Sequence, residues 1–185
     1  MKILVKYGLD DKARIDLLAD SSILPNGRPL FVPDWATDFV GTLCAVFRVN
    51  RLGKCVAPRF AHRYWDALTA GLLTYGVDAA GQAIADNALT RAHDGALVLG
   101  QMVNRDSLPD SGILQWTVSN TWQGQLSLEG LIDHAESTLS LVSQYMTLKM
   151  GDLLCLCSDV SHSLPIDQVT TVSLQGSNLL QTKIK

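Results

Sequence analysis

No apolar run in the sequence approaches the roughly 20 residues that a membrane-spanning helix requires. Hydrophobic residues nevertheless make up 47% of the 185 positions, enough for one domain spanning 1–185 with a sizeable core. Basic clusters are also missing. No run of Lys or Arg exceeds two residues, and the formal net charge is −3. A nucleic-acid backbone is met by concentrated positive charge, so nucleic acid is not an expected partner, and neither is a membrane. The four cysteines stand at 44, 55, 155 and 157 with no C-x-x-C pair, which suits a reduced, cytoplasmic protein. The apolar start Met1–Val5 is cut short by Lys6, Asp10 and Asp11, so secretion is not expected.

What is present reads mostly as strands. Phe39–Val49 is long, β-branched and aromatic, and is expected to be a buried strand closed by a turn at Arg51–Lys54. After it, Ala61, Tyr64, Trp65, Leu68 and Leu72 recur at three- and four-residue intervals, which predicts a helix. Met1–Val5 reads as a short strand and Asp10–Ala19 as a weak helix with Ile15, Leu17 and Leu18 inward. Asn26-Gly27 predicts a hairpin turn within Asp20–Asp34. Gly112–Gln123 alternates cleanly about a turn at Ser119-Asn120, and Gly130–Met146 carries a helical stripe. Gly151-Asp152 turns into a buried strand ending near Cys157, and a closing hairpin joins Gln168–Leu174 to Asn178–Ile184.

Several of these segments share a resemblance. Arg51-Leu-Gly-Lys54, Arg59–Thr69, Gly76-Val-Asp78, Leu30–Asp34 and Met146–Leu154 look like the scaffold of the fumarylacetoacetate hydrolase family. The resemblance covers about residues 20–185. It implies a mainly β, α+β fold: a mixed β-roll of mostly antiparallel strands with a few short helices. It also implies metal-dependent C–C bond hydrolysis, decarboxylation or isomerisation of acylpyruvate and oxo-acid substrates, with Mg or Mn. In the family a Glu-x-Glu pair on the strand and a later Asp hold the metal. The glutamate positions are Thr42 and Cys44 here, and Asp78 stands at the third. Arg91 occupies the position of the catalytic lysine, and Leu156-Cys-Ser-Asp159 replaces a Thr-Gly-Thr-Pro loop. No histidine precedes His62, so the N-terminal lid and its base are expected to be reduced.

The resemblance therefore implies a catalytically inactive homologue, a pseudoenzyme, as a homodimer or a heterodimer with an active paralogue. One alternative is a hydrolase with an altered metal site, using Asp38 or Asp94 beside Asp78. Another is a binder of a small oxo-acid, in which Arg91 pairs a carboxylate.

Residue chemistry bears on each position. Thr42 and Cys44 alternate onto one strand face, and a hydroxyl with a thiol is a poor donor set for magnesium, so core packing is the expected role. Asp78 has the ordinary alternative of a turn or helix-capping acceptor. Arg91 keeps a positive charge but does not exchange a proton near neutrality. Cys155 and Cys157 share a strand face without two further ligands for a soft metal. Ser158, Asp159 and His162 fall in what reads as a polar loop, and a triad needs convergence in space. His62, His93 and His134 are expected to pack or face solvent. Lys149 and Asp152 flank a turn and are expected to form a solvated edge.

Overall fold

The computed structural model describes residues 1–10, 13–80, 82, 84, 88–109 and 111–185. Two β-sheets enclose the main core. The larger contains β1 (Lys2–Tyr7), β2 (Ile15–Ala19), β3 (Ile23–Pro25), β4 (Asp38–Val49), β5 (Trp65–Val77), β6 (Leu97–Leu99), β7 (Val103–Asn104) and β10 (Leu153–Leu164). Its order is β2-β1-β10-β4-β5-β6-β3, with β7 on β5. The smaller runs β12-β11-β8-β9, from β8 (Ile113–Val118), β9 (Thr121–Ser127), β11 (Val169–Leu174) and β12 (Ser177–Lys183). Most pairs are antiparallel, whereas β1–β10 and β3–β6 are parallel. A four-residue helical turn, α1 (Ala88–Arg91), and one long helix, α2 (Leu131–Tyr145), complete the framework.

The central strand forms where the sequence places it, and the reason for its composition is now visible. Leu43, Ala45 and Phe47 of β4 enter the core between the sheets, together with Trp116, Val172 and Leu180. Cys44 and Val46 point the other way, into a second cluster with Ile3, Val5, Leu73, Leu97 and Cys155. A strand buried on both faces reads as a continuous apolar run rather than an alternating one.

The same fact overturns the helix expected from Ala61 to Leu72. Pro58–Arg63 is a short 3-10 segment, and Trp65–Val77 is the longest strand, antiparallel to β4. Leu68, Ala70 and Leu72 face one core and Leu73 the other. Spacings of three and four residues can be picked from any such run, so the periodicity carried no helical information. Gly71 is required in this strand: a β-carbon there would lie 2.5 Å from Val46 Cγ2 on the neighbouring strand.

Three other expectations are corrected. Ile15–Ala19 is an edge strand on β1, not a helix; residues 11 and 12 of that segment lie outside the described residues. Asn26-Gly27 turns the chain, but no hairpin results. β3 pairs in parallel with β6, and beyond the turn Leu30 bridges Ile184. Asn26 Oδ1 accepts the Gln181 N–H at 2.7 Å, so the turn is anchored on β12. Finally, β10 does not end near Cys157. It bulges between Cys157 and Ser161 and then pairs with β4 as far as Leu164.

The remaining elements form as expected. In β8, Leu114, Trp116 and Val118 are buried, and Ser119 and Asn120 both take positive φ (45° and 65°), the paired left-handed geometry of a tight hairpin. Along α2, Leu131, Ala135, Leu139 and Val142 form the buried stripe. No helix among the described residues is long and apolar enough to cross a membrane.

Candidate functional site

Positions 42 and 44 lie on β4, which pairs with β10 on one side and β5 on the other. Thr42 opposes Ser161 and Cys44 opposes Cys157. Their polar atoms are joined in those pairs: Thr42 Oγ1 and Ser161 Oγ are 2.7 Å apart, and the two sulfurs 2.9 Å. Cys44 also donates to the Thr42 carbonyl at 3.4 Å. Cys155, two residues before Cys157, faces the same side and is fully buried. Burial pushes the Cys155 thiol well above its usual range. For Cys157 the hydrogen bond with Cys44, and then burial, do the same.

Above these pairs opens a cleft of about 340 Å³, lined by Tyr7, Gly8, Thr42, Tyr75, Cys157, Ser158, Asp159 and Ser161. Its polar lining is dominated by hydroxyls. The Tyr7 hydroxyl is raised in pKa chiefly by burial, and the Arg14 guanidinium lies 4.5 Å from its ring centre. The bulge in β10 turns Ser158 inward, where its hydroxyl donates to the Leu43 carbonyl at 2.9 Å.

The other nominated residues are not gathered here. Asp78 follows the last residue of β5 and is exposed. Its Oδ1 accepts the N–H groups of Ala80 (2.9 Å) and Gln82 (2.8 Å), the geometry of an Asx turn. Arg91, on α1, lines a separate small cavity of about 150 Å³ with Asp16, Leu17, Leu18 and Ala88. Its guanidinium lies 3.3 Å from Asp16 Oδ2, which Arg14 also approaches at 3.0 Å. Asp38 is engaged at both oxygens, by the Phe39 N–H and the Ser163 hydroxyl.

His93 and His162 both pack against aromatic rings. His93 stacks on Phe39 and meets the edge of Trp35, and burial lowers its pKa. His162 packs against Trp116 at 5.6 Å, while Ser158 Oγ is occupied by Leu43, so no triad assembles from that segment. Asp152 is the clear correction at side-chain level. The expected solvated carboxylate is fully buried and accepts the N–H groups of Lys2 and Lys149.

The metal that the resemblance implies does not suit these donors. Magnesium and manganese favour several carboxylate, carbonyl or water oxygens. Here two positions offer a hydroxyl and a thiol already paired within the sheet, and the Asp78 oxygen is shared by two amides. Among the described residues, no group of three or more His, Cys, Asp or Glu is placed to hold an ion.

A second cleft, about 410 Å³, escaped the sequence reading. Asn50, Arg51, His62, Arg63, Asp66 and Arg105 contribute to it. Two of its charged residues are paired with neighbours outside the lining: Arg48 Nε donates to Asp66, and Arg105 lies 3.5 Å from Glu136.

No protein-family model matches the chain, and no curated protein matches it. Solved structures do. A 5-carboxymethyl-2-hydroxymuconate delta-isomerase from Mycobacterium smegmatis superposes with a TM-score of 0.85 at 16% identity, covering 99% of this chain and 78% of that one. A fumarylacetoacetate hydrolase family protein from Yersinia pestis gives 0.81 at 14% identity, over 100% and 92%. The chain has the fumarylacetoacetate hydrolase fold. A fumarylpyruvate hydrolase from Pseudomonas aeruginosa, solved with Mn2+ and pyruvate, gives 0.79 at 13% identity, over 99% and 88%. The mixed, mainly β architecture of these hydrolases and isomerases is thus shared along nearly the whole chain.

Proposed function

We propose that this chain is a catalytically inactive homologue of the fumarylacetoacetate hydrolase family, acting as a structural or regulatory subunit. On this reading it works as a homodimer or beside an active paralogue. One observation carries the proposal: the polar atoms at the two glutamate positions are spent on the residues opposite them on β10, Thr42 on Ser161 and Cys44 on Cys157. Donors committed in this way do not suit the ion that would polarise an oxo-acid carbonyl. The reading that keeps Arg91 for a substrate carboxylate has weaker support, because Asp16 already supplies one.

The test is the thermal midpoint with and without millimolar Mg2+ or Mn2+, beside an assay on acylpyruvates and oxaloacetate. A ligand at about a hundred times its dissociation constant adds ~2.7 kcal/mol, several degrees for a chain of this size. The proposal expects no shift and no turnover. A rise of several degrees with either metal, or metal-dependent cleavage, would overturn it. Equilibrium sedimentation alone and with an active family member reports the assembly.

A further inference from the structure

We propose that Cys44 and Cys157 are a latent cross-strand disulfide, formed when a peroxide enters the cleft above them. The register makes them directly opposed residues of β4 and β10. Opposed antiparallel residues have Cα atoms about 4.5–5.5 Å apart, inside the ~4.4–6.8 Å window of disulfides. The sulfurs already lie 2.9 Å apart, so less than about 1 Å of closure reaches a bond of ~2.05 Å. Cys155 has no such option, since Val46 stands opposite it.

Access sets the order of events. Cys157 lines the cleft at 1% exposure, whereas Cys44 does not line it and is 0% exposed. The Cys157 sulfur attacks one peroxide oxygen: an S–O bond forms, the O–O bond breaks, and water leaves with the thiol proton. Cys44 then attacks the Cys157 sulfur. The S–S bond forms, the S–O bond breaks, and a second water carries away the Cys44 proton. Two thiols lose two electrons in total, and the peroxide is reduced to two waters. The Cys44 contact and burial keep thiolate scarce at Cys157, so the reaction is slow near neutrality and quickens as pH rises. The product pins β4 to β10 beneath the cleft, just before the bulge.

The experiment uses full-length protein carrying Cys55→Ser, which removes the exposed thiol. It is treated with hydrogen peroxide at neutral and mildly alkaline pH, then denatured and alkylated. The expected product is lighter by two hydrogen atoms before alkylation, has one alkylatable thiol, and yields a Cys44–Cys157 linked peptide. Its thermal midpoint rises by several degrees, because a long loop is closed, and dithiothreitol reverses the change. Adding Cys155→Ser leaves the linkage intact. Three alkylatable thiols after treatment, a linkage through Cys155, or sulfinic acid at Cys157 without a cross-link would each overturn the proposal. Peptide mapping needs no substitution at 44 or 157, so the result stands apart from the folding of such variants.

Discussion

Removing the Asp152 carboxylate should destabilise the protein far more than a turn residue normally would. The side chain is fully buried, at 0% exposure. Oδ1 accepts the Lys2 N–H at 3.0 Å, and Oδ2 accepts the Lys149 N–H at 2.7 Å and pairs with Lys2 Nζ. Its backbone is equally committed, because Val49 N–H donates to the Asp152 carbonyl at 2.8 Å. One residue thus fastens the start of β1, the turn into β10 and the end of β4. Hydrogen bonds to charged groups contribute about 1.5–3 kcal/mol each, and breaking one side of a buried ion pair costs ~3–5 kcal/mol. Asp152→Ala should therefore cost ~4 kcal/mol, a fall in midpoint of about 10 °C. Asp152→Asn preserves shape but sets an amide N–H toward a donor, and should cost ~2–4 kcal/mol. Lys2→Met leaves both backbone donors in place but removes a cation from the buried carboxylate, so it should cost ~1.5–3 kcal/mol, less than Asp152→Ala. Urea unfolding followed by circular dichroism gives all three at constant slope. A loss below about 1 kcal/mol for Asp152→Ala would refute the anchoring argument.

Two further predictions concern separate parts of the fold. Burial lowers the His93 pKa, partly offset by the Thr90 carbonyl and Asp94. Below about pH 6.5 the unfolded chain therefore takes up a proton that the native state resists, and stability falls as pH falls through that window. His93→Gln should flatten the acid side of a midpoint-against-pH curve, and an unchanged slope would count against the effect. At the β8–β9 turn, Ser119→Asn with Asn120→Gly supplies the residue pair that two positive φ angles favour. A gain of about 0.5–1 kcal/mol is expected in thermal unfolding, and a loss would contradict the assigned turn.

The legibility of the sequence followed the range of each interaction. β4, the β8–β9 hairpin, α2 and the closing β11–β12 hairpin were readable because alternation, stripe and turn residues all lie within a short window. β5 was not, because burial on both faces erases the period by which strand and helix are told apart. The Asn26 turn misled for another reason. The partners of its two arms are β6 and Ile184, just past β12, far along the chain, and parallel pairing leaves no local signature. Asp152 looked like an ordinary turn residue until Lys2, 150 positions away, was brought beside it. The candidate site was half legible. Thr42 and Cys44 were expected on one face, and are, but that Ser161 and Cys157 lie opposite depends on the β4–β10 register.

On the proposed reading, that register also lets the sheet do without an ion at this place. Two carboxylates on a nearly enclosed strand face would be like charges in a low dielectric, strongly unfavourable unless a cation or protons neutralise them. Thr42 is 7% exposed and Cys44 is fully buried, so the environment is of that kind. A hydroxyl pair and a thiol pair carry no net charge and satisfy each other in place. Packing and neutral hydrogen bonds then stabilise the strand face. The stability of this fold should therefore be insensitive to chelators, whereas glutamates restored at 42 and 44 would make it depend on divalent metal or low pH.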